Sequence, residues 1–340
     1  MERQLRQRGP RKVIALLCGA AFLWIVTCDA KGNTKVSDWS RPYGPNAPWN
    51  VPVAGLSGHP ESDRYRDLLW NDAPSGHPGN FNLNFWAYTY PVYFVEEATT
   101  ECPVHSKWGN LNGKTVPWNP RWQPAPGTDA QVIVLDPKTG REWNFWQLEH
   151  REGAIYASNA NLVDGDYRTK EDGFRPARGI GVQYLAMLVR SQEVMQGDIR
   201  HALSMPIRNT DGTQFVPPAT KVEHPGRPAG IPEGMRFALD VTDAEIESWL
   251  ASLPPEVERM RPYAGIVARA LRDYGWFITD TSGGAHLQNE AWVSAGEKWS
   301  KLGLETVRVG DKQYPHDLLD GLMQRERIYA LVPSDQYPGR

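Results

Sequence analysis

Tryptophan is the residue type in this chain best suited to bind a ligand. The sequence has 14, and nine of them fall between Trp39 and Trp146. An indole ring covers the apolar face of a sugar ring and buries a large area at a small entropy cost. The sequence therefore predicts saccharide binding, and the expected substrate contacts are Trp118, Trp122, Trp143, Trp146 and Gln147.

Carboxylates near these aromatic residues could cleave a glycosidic bond. Hydrolysis needs an acid and a nucleophile or base, about 5–5.5 Å or about 6.5–9.5 Å apart. Glu149 shares a predicted strand face with Gln147, Asp136 flanks the same hairpin, and Asp280 follows a later strand. Glu142, Glu193 and Asp240 are further candidates, and sequence spacing alone selects no pair.

Histidine and arginine offer a different chemistry. A lyase neutralises a uronate carboxylate with a cation and removes the C5 proton with a base such as histidine. His201 stands in an apolar predicted strand, His224 follows a turn-rich stretch, and Arg190 ends another predicted strand. These three residues are the expected elimination machinery if the substrate is a uronate polymer.

Metal and cysteine chemistry have little support. No HxH or HExxH spacing is present, so we expect no catalytic metal or other cofactor. A structural calcium ion on Asp164, Asp166 and Asp172 is the alternative that the acidic spacing leaves open. Cys102 is the single cysteine after residue 30, so an internal disulfide is not expected in the exported chain.

Short strands and turns must position these groups. Proline and glycine, 28 and 31 residues, are spread along the chain, which is typical of many strands joined by turns. The strongest hairpin pairs residues 131–135 with 142–149 across Asp136-Pro137-Lys138-Thr139-Gly140. We predict a mainly β, single-domain β-sandwich or jelly roll over 31–340, with an irregular, tryptophan-rich section at 31–125 and a few helices in the last third.

The remaining predicted elements follow from periodicity and caps. Thr242 and Glu245 form a capping box for one helix, and Gly275 ends another. Further strands are predicted at 85–95, 183–189, 199–207, 235–241, 276–279 and 328–332. Helices are predicted at 192–196, 242–250, 263–274 and 315–325.

The first thirty residues have the three parts of a secretory signal. A basic head ending at Lys12 precedes an apolar run of about 14 residues from Val13, followed by small residues up to Ala30. That run is shorter than the about 20 residues of a membrane span. We expect cleavage near Ala30 and a secreted or periplasmic protein. An uncleaved anchor and a lipid on Cys28 are the alternatives.

The net charge of the chain limits the classes of partner that we expect. Removing residues 1–30 leaves 32 basic against 38 acidic residues, without a basic cluster. Nucleic-acid binders usually carry a basic excess. The expected partner is therefore a polysaccharide or oligosaccharide. We expect neither nucleic acid nor, after signal cleavage, a membrane as a partner, and we expect the protein to act as a monomer.

Several ordered segments resemble a family of uncharacterised secreted bacterial proteins. The matching stretches are Pro48-Trp49-Asn50, Val134-Leu135-Asp136, Leu188-Val189-Arg190, Ile199-Arg200-His201-Ala202-Leu203, Glu223-His224 and Ala270-Leu271-Arg272-Asp273-Tyr274-Gly275 with Asp280 following. The resemblance implies a single exported domain and no particular mechanism. Asn144 stands where the family pattern has an acidic residue.

Two classes of function fit these observations. The first is a secreted polysaccharide-degrading enzyme, with glycoside hydrolysis slightly ahead of β-elimination. The second is a non-catalytic carbohydrate-binding or envelope-associated protein of the same fold, because a fold alone does not determine activity. A cleft with two carboxylates would favour hydrolysis, and a base facing an arginine would favour elimination. A flat aromatic platform would favour binding.

Overall fold

The computed structural model describes residues 41–74, 76–177, 179–226 and 229–336. These residues belong to one compact unit. The predicted secretory signal and its cleavage site near Ala30 lie outside the described residues. Within the described ranges, no helix is both long enough and apolar enough to cross a bilayer.

Strand residues outnumber helical residues, 28% against 23%, which confirms the mainly β class. The α-helices of the described ranges are α1 (Ser62–Asp72), α2 (Ser191–Gln196), α3 (Asp243–Ser252), α4 (Arg261–Asp273) and α5 (Trp292–Lys301). The strands are β1 (Asn82–Asn84), β2 (Val92–Phe94), β3 (Thr100–Trp108), β4 (Thr115–Trp118), β5 (Val132–Asp136), β6 (Arg141–Trp146), β7 (Glu149–Arg151), β8 (Ala154–Leu162), β9 (Leu203–Ile207), β10 (Thr210–Phe215), β11 (Ile231–Glu233), β12 (Arg236–Leu239), β13 (Trp276–Thr281), β14 (His286–Gln288), β15 (Val307–Val309), β16 (Lys312–Tyr314) and β17 (Ile328–Ala330).

Two larger sheets dominate the architecture. A seven-stranded sheet has the order β2-β5-β6-β8-β3-β4, with β7 added beside β8, and a four-stranded sheet has the order β17-β12-β13-β9. Both are mixed, because β2/β5, β3/β8 and β9/β13 are parallel and the other pairs are antiparallel. The jelly roll that we expected is an all-antiparallel design, so the strand pairing supports only the coarser class.

The predicted hairpin is confirmed as β5 and β6, which lie near the centre of the larger sheet. Alternation along β5 sends Ile133 and Leu135 to one apolar cluster, and Val132 and Val134 to another. Both faces of this strand are therefore covered. The strand β6 ends at Trp146 rather than at residue 149, because Gln147 takes a φ of 52° and leaves the extended conformation.

The capping box at the start of α3 is confirmed. Thr242 Oγ1 accepts a hydrogen bond from the Glu245 N–H, and Glu245 Oε2 accepts one from the Thr242 N–H at 2.8 Å. The next helix, α4, buries Val267 and Leu271 against the largest apolar cluster, which also contains Trp276 of β13. Helices α3 and α4 thus support the smaller sheet from one side.

The strand predicted at 183–189 is wrong, since these buried residues form turns. Their N–H groups find side-chain acceptors instead of a neighbouring strand: Tyr184 N–H donates to Asn144 Oδ1 at 3.0 Å and Leu185 N–H donates to Glu142 Oε1 at 3.2 Å. Met187 also adopts a positive φ of 66°. Polar side chains on β6 therefore hold this segment against the larger sheet.

Two other predicted elements are also corrected. The strand predicted at 85–95 is reduced to Val92–Phe94, because Asn84 bonds to the Trp86 N–H and the Ala87 carbonyl and folds the chain locally. The helix predicted at 315–325 is a series of turns. Asp317 Oδ2 accepts from the Gln313 N–H at 2.7 Å there, which favours a turn over continued helix.

Candidate functional site

A cleft with two lobes is formed by residues of both larger sheets. The first lobe encloses about 570 Å³ and the second about 410 Å³. Asp129, Gln131, Asp280 and Thr281 line both lobes and therefore mark the point where the lobes meet. The larger sheet contributes residues of β3, β6 and β8, and the smaller sheet contributes residues of β9 and β13. We call this feature the cleft.

A β-bulge places Asp280 in the cleft. The pairing of β13 with β9 shifts between Ile278 and Thr281, so that two residues, Thr279 and Asp280, stand opposite Pro206. Proline has no N–H to donate to a ladder, and bulges redirect side chains next to such positions. Thr279 is buried and hydrogen-bonds to Ser204 at 2.7 Å, while Asp280 lines both lobes.

Asp129 reaches the cleft from the turn that precedes β5. The Gln147 N–H donates to the Asp129 carbonyl at 2.6 Å, and the Leu148 N–H donates to the Ala130 carbonyl at 3.1 Å. Gln131 Nε2 donates to Asp129 Oδ2 at 3.0 Å. Ala130 and Gln147 have φ values of 39° and 52°, a backbone strain that costs about 1–3 kcal/mol per residue and concentrates at functional sites.

Asp280 and Glu223 form a carboxyl pair. Glu223 Oε2 and Asp280 Oδ1 both accept from the Thr281 N–H, at 2.8 and 3.0 Å, which brings the two carboxyl groups together. A hydrogen bond between the two side chains requires one proton between them. Burial acts to raise the pKa of Glu223, but hydrogen bonds from Asp280 and from the Thr281 N–H hold that pKa below its ordinary value. The lowered pKa favours the ionised form of Glu223, so a proton shared within the pair belongs to Asp280.

A third carboxyl group, Glu233, lies behind this pair. Its Oε2 accepts the Glu223 N–H at 3.0 Å, its Oε1 has no hydrogen-bond partner among the described residues, and the side chain is buried. Burial raises the pKa of Glu233 to about 7, and the negative charge of Glu223 adds to the shift. Glu233 thus exchanges a proton near neutral pH beside the candidate site.

The shifted pKa of Glu233 predicts a pH-dependent stability. The folded chain holds this proton up to about pH 7 and the unfolded chain releases it near pH 4.5, so stability falls as pH rises through that window. The full loss is on the order of 3 kcal/mol. We expect Glu233→Gln to raise the melting temperature at pH 8 and to change it little at pH 4, measured by calorimetry. An equal shift at both pH values would contradict the assignment.

Aromatic and amide side chains complete the cleft. The first lobe is lined by Trp108, Trp146, Tyr90, Tyr184 and Asn159, among others. The second lobe adds Tyr88 and Gln288, whose amide nitrogen donates to the Tyr88 carbonyl at 3.1 Å. Both lobes therefore offer aromatic surface and hydrogen-bonding groups on either side of the shared carboxylates.

The described lining carries more negative than positive charge. Asp129, Glu223 and Asp280 line the first lobe together with Lys221, and His286 lines the second. Burial lowers the pKa of His286 to about 4, so this ring is neutral at pH 7. Its Nδ1 faces the Gly284 carbonyl at 3.1 Å, which fixes Nδ1 as the donor. Even with one shared proton, the described lining is acidic.

Two of the residues predicted from the sequence, Asp280 and Trp146, lie at the cleft. The hairpin carboxylates do not. Glu149 is exposed and pairs with Arg151 at 3.5 Å, and Asp136 accepts from Lys138 and Thr139 in the β5–β6 turn. Glu149 does not belong to β6, because the chain turns at Gln147 and ends that strand.

The other predicted sugar contacts are placed elsewhere. Trp118, Trp122 and Trp143 are buried in the apolar cluster on one face of the larger sheet, where they have no surface to offer a ligand. Gln147 is next to Trp146 in the chain, and its Oε1 accepts from Ser158 Oγ at 2.6 Å. The structure thus assigns three of these four tryptophans to packing.

Arg190 and His201 are buried together away from the cleft. His201 Nδ1 faces the Ala202 carbonyl at 2.8 Å, and Nε2 lies 3.1 Å from Glu193 Oε2. Arg190 Nη2 is 3.9 Å from the same carboxylate. A polar residue in an apolar strand needed a partner, and here the partner is Glu193 rather than a ligand. His224 is exposed, with Nε2 4.0 Å from Glu223 Oε1.

This cluster predicts a stability effect. Replacing His201 by glutamine leaves the buried Glu193 carboxylate without its nearest side-chain hydrogen-bond partner, and an unmade hydrogen bond at a buried polar group costs about 1–3 kcal/mol. We expect that loss in the free energy of unfolding, measured by urea titration. The exposed His224→Gln variant is the control and should stay within about 0.5 kcal/mol of the parent. Unchanged stability of His201→Gln with lost activity would instead support a role in the reaction.

The acidic residues considered for calcium have basic partners. Lys170 Nζ lies 2.9 Å from Asp164 and 2.6 Å from Asp172, and Arg168 pairs with Asp166 at 2.5 Å. In the part of the chain that the structure describes, no group of three or more histidine, cysteine or acidic side chains is arranged to hold a metal ion. These carboxylates are thus engaged in local ion pairs.

Several cleft residues escaped prediction, mainly Asp129, Glu223, Trp108 and Tyr88. Glu223 directly precedes His224, and its surroundings in the sequence do not distinguish it from an exposed turn residue. Asp129 stands two residues before a buried strand, a position shared by many turn residues. Trp108 ends β3, and alternation from the buried Cys102 and Val104 would place it on the apolar face rather than at the cleft, so nothing in the sequence pointed to it.

The comparisons with known proteins add no further assignment. No family model, curated protein or solved structure matches this chain. The candidate site therefore depends on its own geometry.

Proposed function

We propose that this protein is a secreted polysaccharide-active enzyme that cleaves glycosidic bonds by hydrolysis. The observation that carries the proposal is the Glu223–Asp280 carboxyl pair, which lines the same cleft as Asp129, together with tryptophan and tyrosine. Hydrolysis of a glycoside needs an acid that still holds a proton near neutral pH and a second, ionised carboxylate. The cleft contains groups suited to both tasks.

Each carboxylate has a defined role in the proposal. Asp280 donates its proton to the glycosidic oxygen, and Glu223 keeps Asp280 protonated, because two touching carboxylates do not both ionise at low cost. Asp129, held by Gln131 and supplied by the turn that precedes β5, acts as nucleophile or as the base that activates water. Glu233 acts indirectly, through the backbone N–H of Glu223.

Charge favours hydrolysis over β-elimination. Elimination from a uronate polymer requires a cation at the substrate carboxylate. The described lining has three carboxylates and one lysine, and the sequence candidates Arg190 and His201 are buried elsewhere. Such a lining repels an acidic polymer. The substrate in this proposal is therefore a polysaccharide without uronate charge.

Two less specific expectations belong to the same proposal. Export through the leader of residues 1–30 would bring the enzyme to an extracellular polysaccharide. The two larger sheets form a sandwich in this view: Ile133 and Leu135 of the seven-stranded sheet share an apolar cluster with Phe277 of the four-stranded sheet.

A substrate panel tests the proposal. The purified exported chain is incubated with neutral glucans, mannan, xylan and chitin, and with alginate and pectate, and both reducing ends and the ultraviolet absorbance of unsaturated uronates are followed. Reducing ends without that absorbance support hydrolysis. Both signals together indicate elimination and overturn the reaction type. Binding without either signal supports the non-catalytic alternative.

Gly179→Ala is a steric test of the same site. A Cβ at this position would overlap Asp280 Oδ1 and lie 2.9 Å from Glu223 Oε2, so it would force the carboxyl pair to move. We expect activity to fall about 10²-fold or more, because displacements of about 1 Å cost that much. Gly58→Ala, whose added Cβ would meet nothing within 4 Å and which lies outside the cleft, is the control. Equal activity of both variants would separate the pair from catalysis.

A further inference from the structure

Trp108, Asn159 and Trp146 form a row across three adjacent strands. In the larger sheet, Trp108 of β3 is the register partner of Asn159 on β8, and Asn159 is also the register partner of Trp146 on β6. Direct register partners place their side chains beside one another. All three line the first lobe of the cleft. We call this feature the Trp–Asn–Trp row.

The sheet sets the spacing within the row. Neighbouring strands lie about 4.8 Å apart, so the two tryptophans stand about 10 Å apart with the asparagine between them. That spacing is close to the length of two linked pyranose rings. In a β-1,4-linked chain, alternate rings present the same face, because successive rings are turned over. The row therefore matches three consecutive rings, with the outer two against indoles.

The row is built to accept a ligand. Trp108 is 50% exposed, although its neighbours on the strand include the buried Val104. Lys107 Nζ lies 4.2 Å from the centre of the Trp108 ring, a contact that limits the ring's motion. Trp146 is partly buried and packs against an apolar cluster, which fixes its ring at the wall of the lobe. The two indoles are thus held by the protein before any sugar arrives.

The central asparagine is also fixed. Asn159 Nδ2 donates to the Pro176 carbonyl at 2.6 Å, and Asn159 Oδ1 accepts from Asn161 Nδ2 at 2.7 Å. Gly109 follows Trp108 with a φ of 99°, and a Cβ there would overlap the Ala160 carbonyl and approach Asn159 Oδ1. Only glycine allows β3 to end this close to β8, so the end of the row depends on that residue.

The cleft continues beyond the carboxylates. The second lobe begins at the shared residues Asp129 and Asp280 and contains Tyr88, which is 45% exposed. A chain seated on the row would therefore extend past the candidate reacting groups into a second aromatic site. A cleft with sites on both sides of the carboxylates suits cutting within a chain rather than at its end.

We propose that the Trp–Asn–Trp row is a three-ring subsite for a linear, uncharged, β-1,4-linked polysaccharide, which is cut internally. The position of the cut rests on the proposed function, whereas binding at the row does not. The acidic lining favours an uncharged polymer over an acidic one. The spacing of the two indoles matches alternate rings of a β-1,4-linked chain. A helical α-1,4-linked chain does not place alternate rings in one plane and does not fit the row.

Calorimetric titration tests the subsite. The probes are cellohexaose, mannohexaose and chitohexaose, with maltohexaose and hexagalacturonate for comparison, and the protein is used both unchanged and as Asp280→Asn. We expect at least one β-1,4-linked hexaose to bind at least tenfold more tightly than the two α-1,4-linked hexaoses. Trp108→Ala and Trp146→Ala should each weaken that binding at least tenfold. Phe215→Ala, which removes an exposed ring outside the cleft, should leave it unchanged.

The outcomes separate the two proposals. Failure of every β-1,4-linked hexaose to bind, equal binding of maltohexaose, or full affinity in both tryptophan variants overturns the subsite. Binding that depends on the row without cleavage of any polymer by the unchanged protein supports the subsite and overturns the hydrolase. Cleavage that releases only the terminal sugar of a hexaose overturns internal cutting. Melting curves of each variant identify any that fails to fold, and Trp146→Phe, which keeps an aromatic ring, then takes the place of Trp146→Ala.

Discussion

Replacing Asp280 by asparagine is expected to abolish most polysaccharide cleavage. The variant keeps the size of the side chain but removes the carboxyl proton that the proposed mechanism delivers from the junction of the two lobes. Loss of a general acid typically costs about 10²–10⁴ in rate. The measurement is kcat from reducing-end release on the best polymer of the panel. The affinity of the variant for an uncleaved oligosaccharide is the second readout.

The controls for Asp280→Asn distinguish chemistry from folding. Glu247→Gln removes an exposed carboxylate of α3 that pairs with Arg269, and activity should not change. Glu223→Gln should lower activity by itself, as Asp280→Asn does. The double variant should have little less activity than either single variant, because the pair acts as a unit. If Glu149→Gln were inactive and Asp280→Asn stayed active, the active site would have to be assigned to the β5–β6 hairpin instead of the cleft.

Trp143→Ala and Trp146→Ala are expected to have opposite effects although they are three residues apart. Trp143 is buried in the apolar cluster of the larger sheet, so its removal should lower the free energy of unfolding by about 3–5 kcal/mol. Trp146 lines the cleft, so its removal should mainly weaken saccharide binding. Urea titration and binding calorimetry on both variants measure the two effects.

The comparison is internally controlled, because both residues are tryptophans on the same strand. Their separation by an odd number of positions places them on opposite faces of β6. Equal destabilisation by both variants, with unchanged binding, would remove this strand from the site. Loss of binding in a fully stable Trp143→Ala variant would show that the assigned faces are reversed.

Local patterns were the parts of this fold that the sequence predicted well. The turn from Asp136 to Gly140 joins β5 and β6, and the Thr242–Glu245 capping box starts α3. These features depend on residues close together in the chain, whose backbone preferences act wherever the segment lies. The strand alternation also separated Trp143 from Trp146 correctly.

Two of the misplaced features depended on partners that only the fold supplies. Residues 183–189 have strand-like composition, but Glu142 and Asn144 accept their N–H groups and no strand forms. The sequence shows His201 as a polar residue in an apolar segment without an evident partner. In the fold, Glu193 lies beside it. Neither partner is identifiable from sequence spacing, because the contacts join segments whose positions the chain topology decides.

By itself, the sequence determined the mainly β class, the central hairpin, the α3 start and the excess of aromatic residues. It also supplied Asp280 and Trp146 as candidates. Only the tertiary structure brought Asp129, Glu223 and Asp280 to one cleft and placed Trp108 beside Asn159 and Trp146. The reason is physical: side-chain periodicity is fixed within each strand, whereas the register between strands and the bulge at Asp280 arise from packing and hydrogen bonds between residues far apart in the chain.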